Sequence, residues 1–211
     1  MAMRHAQQYI SFEQYLLLVS NSDQHYEYHD GQVRLMAGGS SNHAAIALNF
    51  GVALDQALGD DSLCRPYVTD KLVRVTPTRV VIPDVVVSCD MADHGESQII
   101  QSPVLVVEVL SRSTEMTDRF EKLALYQAKE SIQEIVFLSQ YIQRVEVFSR
   151  SATSWLYQQY GAGQSFHLAS LDLTIEIGQL YRRLSIPAMV NQIEEDESPA
   201  NNISPVILPQ E

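Results

Sequence analysis

Apolar and polar positions recur with two different periods along this chain, and the switches between periods mark its elements. Ser11-Phe12-Glu13-Gln14 has the form of a capping box, and Phe12, Tyr15, Leu16 and Val19 follow at helical spacing, which predicts a short first helix. Between His25 and Met36, Asp30-Gly31 separates a Tyr-rich arm from an arm carrying Val33 and Leu35, the pattern of a tight hairpin. Gly38 to Asn42 supplies a loop and an N-cap for a helix through about Leu58, with Ala45, Leu48, Val52 and Leu58 as apolar positions and Gly59-Asp60-Asp61 as its stop.

From Leu63 to Leu110 the pattern is extended: Leu63 to Val75, a turn at Pro77, Val80 to Ser88, a polar loop over Asp90 to Ser102, then Val104 to Leu110. Pro83 has no N–H to give a ladder, so its strand must lie at an edge or bend there. Thr117 or Asp118 caps a helix to Lys129, with Phe120, Leu123, Ala124 and Tyr126 as its apolar contacts. Strands follow at Gln133 to Leu138, Ile142 to Phe148 and Trp155 to Tyr160, and a final short helix at Leu180 to Leu184. The strand ending at Leu110 and the strand after the helix are expected to be parallel neighbours joined by a right-handed crossover. The expected fold class is therefore α/β or α+β, a mixed β-sheet flanked by helices.

Two acids break these apolar runs. Asp84 sits in Val80-Val81-Ile82-Pro83-Asp84-Val85-Val86-Val87, and Glu108 in Val104-Leu105-Val106-Val107-Glu108-Val109-Leu110. A carboxylate in a buried strand is costly to desolvate unless something compensates it, and a bound cation compensates two at once. Two carboxylates on neighbouring strands make a hard oxygen site suited to Mg2+ or Mn2+. The alternative is that each acid pairs with a buried Arg or with a helix N-terminus. Asp118, Lys122 and Tyr126 fall at i, i+4 and i+8, on one face of the crossover helix. Lys122 either forms an ordinary pair with Asp118 or reaches over the strand ends to hold a water or a phosphate oxygen.

Composition narrows the class. A chain of 211 residues with 45% hydrophobic content can bury one full core, which favours one domain over residues 1 to 188. After that comes a tail, residues 189 to 211, rich in acid and expected to be disordered. The net charge of -12 is the wrong sign for a broad phosphate-gripping surface and counts against nonspecific DNA binding. No apolar run reaches membrane-spanning length and the N-terminus lacks a signal-peptide core, so a cytoplasmic protein without membrane contact is expected. Cys64 and Cys89 stand apart from each other and from any Cys-x-x-Cys spacing; they read as small core residues, with no disulfide, in a reducing compartment. His25, His29, His94 and His167 read as ordinary polar positions, and Trp155, Tyr157 and Tyr160 as sheet packing.

In order along the chain, Tyr26-Glu27-Tyr28-His29-Asp30-Gly31, Asn42-His43, Pro83-Asp84, Val106-Val107-Glu108-Val109-Leu110-Ser111 with Ser113-Thr114, and Asp118 with Lys122 and Tyr126 form a set. This set resembles the Uma family of putative restriction endonucleases, within the PD-(D/E)XK nuclease superfamily, over roughly residues 10 to 185. The resemblance implies a restriction-endonuclease-like fold and Mg2+-dependent cleavage of nucleic acid, expected to be DNA, by a homodimer. It implies that Asp84 and Glu108 hold the metal with the Val109 carbonyl, that Glu27 is an additional acid, and that His43 lies near the same cleft. The superfamily pattern expects a lysine two residues after the second acid, where this chain has Leu110; Lys122 is the implied replacement. Arg112 stands where relatives carry Pro, and Ile135-Val136-Phe137-Leu138-Ser139 where they end a strand in Val-Asp.

The leading expectation is thus a Mg2+-dependent phosphodiesterase in which Asp84, Glu108 and Lys122 carry the chemistry. Two rivals stand beside it: a nuclease-fold binding or scaffold module with little catalysis, and a hydrolase of small phosphoesters. A Lys/Arg-lined cleft with room for a duplex favours the nuclease, and a narrow closed pocket favours the small-molecule enzyme.

Overall fold

The computed structural model describes residues 9–36, 38–112 and 115–188; the acidic tail expected from residue 189 onward lies outside them. A first helix, α1 (Phe12–Ser20), starts at a complete capping box, Ser11 Oγ accepting from Gln14 N–H and Gln14 Oε1 from Ser11 N–H. Strands β1 (Tyr26–His29) and β2 (Gln32–Leu35) pair antiparallel across Asp30 and Gly31, both at positive φ (51° and 92°), as a two-residue hairpin loop requires. Helix α2 (Ser41–Leu58) is N-capped by Ser40 and ends at Gly59.

The extended middle divides between two sheets. Strands β3 (Arg65–Val68), β4 (Leu72–Thr76), β5 (Arg79–Val81), β6 (Val85–Ser88), β7 (Ile99–Ile100) and β8 (Pro103–Leu110) run in chain order. Both stretches read as single strands, Leu63 to Val75 and Val80 to Ser88, are in fact broken and shared out: β4 and β5 join β1, while β3 and β6 join β8. The second break falls at Ile82-Pro83-Asp84, where the chain leaves one sheet and enters the other. Pro83 bends the strand there, as its missing N–H requires. The five-stranded sheet has the order β2-β1-β5-β4-β7.

The six-stranded sheet continues with β9 (Glu134–Ser139), β10 (Arg144–Arg150) and β11 (Trp155–Gly161), in the order β11-β10-β9-β8-β6-β3. As expected, β8 and β9 are parallel, with Glu108 opposite Phe137, and a helix connects them. That crossover helix is made of Glu115–Thr117, a π-helical turn Asp118–Lys122, and Leu123–Ala128. A hairpin that the pattern did not reveal, β12 (Ser165–Leu168) with β13 (Leu173–Glu176), packs beside α2, and the last helix is Ile177–Leu180, not Leu180 to Leu184.

Alternation along β8 sorts the two faces of the larger sheet. Leu105, Val107 and Val109 pack with Ile46, Phe50 and Leu54 of α2, whereas Val106 and Leu110 pack with Tyr126 of the crossover helix. Glu108 shares the parity of this second face and enters it as a charge. The core face of α2 is out of phase with the one read from sequence: Ile46, Ala47, Phe50, Gly51, Ala53 and Leu54 are buried, and Leu48 is exposed. A Cβ on Gly51 would come within 2.2 Å of Val68 Cγ2, so α2 approaches β3 more closely than any side chain there permits. Phe120, expected to contribute apolar contacts, faces solvent.

One expectation is overturned outright. Cys64 and Cys89 form a disulfide. Antiparallel β3 and β6 place Arg65 opposite Ser88, so Cys64 and Cys89 are the next facing pair at the strand ends. Their isolation in sequence says nothing about this, because β3 and β6 are joined only through the excursion of β4 and β5 into the other sheet.

Candidate active site

Asp84, at the crossing between sheets, is fixed through both carboxylate oxygens. His43 Nε2 lies 2.7 Å from Oδ1, and the Val109 N–H donates to Oδ2 at 2.6 Å. Within a strand the N–H and C=O of one residue point to the same side, so the Val109 carbonyl also faces the Asp84 side of β8. Its imidazole contact raises the pKa of His43 in spite of partial burial, because Asp84 favours the imidazolium. His43 stands in the first turn of α2, after Gly38, Gly39 and the Ser40 cap, and a Cβ on Gly39 would lie 2.8 Å from its Cδ2.

Glu108 is 4% exposed, and Oε1 accepts from both Lys122 Nζ at 3.0 Å and Tyr126 O–H at 2.6 Å. Burial pushes its pKa well up; the ammonium opposes the shift, and the negative charges of Asp118 and Asp84 add to it. Lys122 is itself buried in the π turn and faces three carboxylates: Glu108, Glu27 at 3.1 Å and Asp118 at 3.7 Å. Burial works against its charge, but those three acids outweigh it and raise its pKa. Tyr126, wholly buried, is held in the neutral phenol form by desolvation and by Glu108.

Glu27 closes the network from β1. Its Oε1 also accepts from the Ile82 N–H at 3.1 Å, and Oε2 meets His29 Nε2 at 3.2 Å. Burial raises the pKa of Glu27, yet His29, Lys122 and the Ile82 amide together carry it down to about 2. His29, read as an ordinary polar position, is therefore a buried partner of this acid, 6% exposed. The signal for it was present: positions 27 and 29 lie on the same face of a strand.

The crossing of the sheets brings Asp84, Glu108, Val109, His43, Lys122 and Asp118 onto the wall of one open cleft of about 590 Å³. Asp84 leans toward α2 through His43 and Glu108 toward the crossover helix, and the cleft spans both. Glu27 and Tyr126 lie behind it and hold Lys122 and Glu108. Among the described residues no three or more His, Cys, Asp or Glu side chains converge as a metal cage. Two carboxylates and a carbonyl fit the cation that needs least from protein: Mg2+ retains several waters and binds through one or two carboxylates. Arg112 and Tyr141, which sequence reasoning left without a role, also line this cleft, with the guanidinium 5.2 Å from the ring centroid.

A mixed sheet flanked by helices, with Asp84, Glu108 and Lys122 lining one cleft, is a nuclease-like fold of the restriction-endonuclease type. The chain belongs to the Uma2 family, described as "Putative restriction endonuclease", which matches residues 12–181. It is 33% identical over 178 residues to the uncharacterized protein slr1290 of Synechocystis sp. (strain ATCC 27184 / PCC 6803 / Kazusa), covering 83% of this chain and 93% of that one. A second uncharacterized protein of the same organism, sll1609, is 26% identical over 141 residues, covering 65% of this chain and 78% of the other. The crystal structure of a putative nuclease belonging to DUF820 from Anabaena variabilis ATCC 29413 superposes with a TM-score of 0.65 at 17% identity, over 81% of this chain and 97% of that one, a likeness of fold. Among the described residues no helix is long and apolar enough to cross a membrane.

Proposed function

We propose that this protein is a metal-dependent endonuclease that hydrolyses phosphodiester bonds of DNA, with Mg2+ as its cation, Mn2+ as a substitute, and a homodimer as its working form. The observation that carries the reading is the pairing of two differently supported acids on one cleft: Asp84 on the Val109 amide, Glu108 on Lys122. Asp84, Glu108 and the Val109 carbonyl would hold the cation, which supplies an acidified water and neutralises charge on the scissile phosphate.

The protein's own groups do the positioning. The Val109 N–H and His43 fix the Asp84 carboxylate, and Tyr126 O–H and Lys122 fix one oxygen of Glu108. The proton that burial tends to keep on Glu108 must leave before the carboxylate can ligate, so binding of a cation is coupled to proton release. Lys122, held charged by its neighbours, offers the ammonium that stabilises developing negative charge beside Glu108.

A second reading has a specific observation behind it. Lys122 is already shared among Glu108, Glu27 and Asp118, which suits a structural ion network as well as a catalytic one and favours a binding module with weak catalysis. The openness of the cleft speaks against the narrow pocket of a small-phosphoester hydrolase. The deciding experiment is a cleavage assay on DNA and RNA with added Mg2+ or Mn2+, with Asp84→Ala beside the wild type. Metal-dependent cleavage lost in the variant supports the nuclease; cleavage by neither protein on any substrate overturns it.

A further inference from the structure

The catalytic cleft continues past its acids. It shares His25, Thr69, Asp70 and Ile82 with a second open cavity of about 610 Å³, so the two form one groove with a saddle at the β3–β4 turn. Thr69 and Asp70 hold that turn at positive φ (57° and 63°), and the Thr69 N–H is tied to the Asp84 carbonyl at 2.9 Å. The saddle is thus fixed to the residue that carries the first acid.

Each part of the groove has one cation lying against an aromatic ring. In the catalytic part it is Arg112 over Tyr141, with the Tyr141 hydroxyl also accepting the Arg112 N–H at 3.2 Å. In the second cavity it is Lys71, whose Nζ is 5.0 Å from the centroid of Tyr67 and donates to the Ser97 carbonyl, leaving two further N–H donors. The other cation of the catalytic part, Lys122, is committed to three carboxylates, so Arg112 is the guanidinium that faces solvent there. Asp70 at the saddle faces His25 at 3.3 Å.

Resting on the nuclease reading above, we propose that the substrate is single-stranded nucleic acid, laid along this groove across the saddle and held by Arg112 with Tyr141 on one side and Lys71 with Tyr67 on the other. A duplex binder meets its partner through many phosphate contacts on a broad basic face, for which a net charge of -12 is the wrong sign. Cations backed by rings along an open groove suit a strand whose phosphates are contacted singly and whose bases have open faces to stack. With only two such cations, binding should weaken slowly with salt, at roughly −0.7 in log K per log salt for each phosphate contacted.

The test is fluorescence anisotropy in EDTA with a labelled oligodeoxynucleotide of roughly 16 nucleotides, single-stranded or annealed to its complement. The single strand should bind at least about tenfold tighter than the duplex. Arg112→Ala and Lys71→Gln should each weaken it by about tenfold and reduce the salt slope by about 0.7, the loss of one phosphate contact. Tyr141→Ala should likewise bind more weakly. Duplex bound as tightly as single strand, or both cation variants binding as the wild type, would overturn the proposal. Because no metal is present, the binding outcome separates from the nuclease reading, which the metal-dependent cleavage assay tests on its own. Duplex cleavage with no single-strand preference would leave the nuclease standing and remove the track.

Discussion

Lys122 donates to Glu108 Oε1 at 3.0 Å from inside the protein, not from solvent, and the same ammonium lies 3.1 Å from Glu27 on a strand of the other sheet. The lysine therefore joins the two sheets behind the cleft as well as standing beside a candidate ligand. A role confined to catalysis is too narrow for it.

Lys122→Ala is accordingly expected to destabilise the fold, by about 3 to 5 kcal/mol, because it leaves buried carboxylates without their counter-charge. Adding Glu27→Gln should return part of that loss, since one orphaned charge is removed with it. Urea unfolding of the two single variants and the double variant measures this directly. Strict additivity would mean that Glu27 and Lys122 are not coupled. Any activity loss in Lys122→Ala must be read on protein shown to be folded.

Glu27 sets a pH dependence whose sign follows from its lowered pKa. The carboxylate ionises more readily in the folded protein, at about 2, than in an unfolded chain, where the usual value is 4.5. Its contribution to stability is therefore complete above about pH 4.5 and lost as the pH falls toward 2. The size is roughly 3 kcal/mol, from about 1.4 kcal/mol per pH unit of displacement. Measured by urea unfolding between pH 7 and 3, wild type should lose more stability than Glu27→Gln. Parallel curves would show that Glu27 is not held ionised by His29, Lys122 and the Ile82 amide.

The candidate cation site makes its own prediction. After chelator treatment, millimolar Mn2+ should raise the melting temperature of the wild type and leave Asp84→Asn nearly unmoved, since a ligand bound only by the folded state stabilises it by RT ln(1 + [L]/Kd). Because burial raises the pKa of Glu108, a proton competes with the cation for its carboxylate, and the shift should grow as the pH rises. Equal shifts in the two proteins would place the cation elsewhere on this acidic chain.

Gly51→Ala tests the packing that carries the site. The added methyl would lie 2.2 Å from Val68 Cγ2, so either Val68 leaves its rotamer or α2 and β3 separate, and in the second case His43 at the start of α2 moves with the helix. A loss of about 1 to 3 kcal/mol is expected, as for other overpacked cores. If the variant melts like the wild type, the α2–β3 contact is not tightly packed at Gly51.

What the chain determined by itself is local. The capping box at Ser11, the Asp30-Gly31 hairpin, the helix capped within Gly38 to Asn42, the parallel β8 and β9 around a crossover helix, and two acids interrupting apolar runs all follow from local spacing and turn chemistry. Tertiary structure decided whatever depends on pairing between distant segments. Pro83 announced a bend, yet only the split of Val80 to Ser88 between two sheets places Asp84 against Val109 and His43. Cys64 meets Cys89 because β3 returns to β6, and Glu27 meets Lys122 because β1 lies behind the crossover helix. The partners of Lys122 were equally hidden, since a π turn leaves no periodic trace and sequence spacing offered only Asp118. Side-chain periodicity records which face of an element is dry; it carries no information on which other element supplies the neighbour, and a buried charge is compensated entirely by that neighbour.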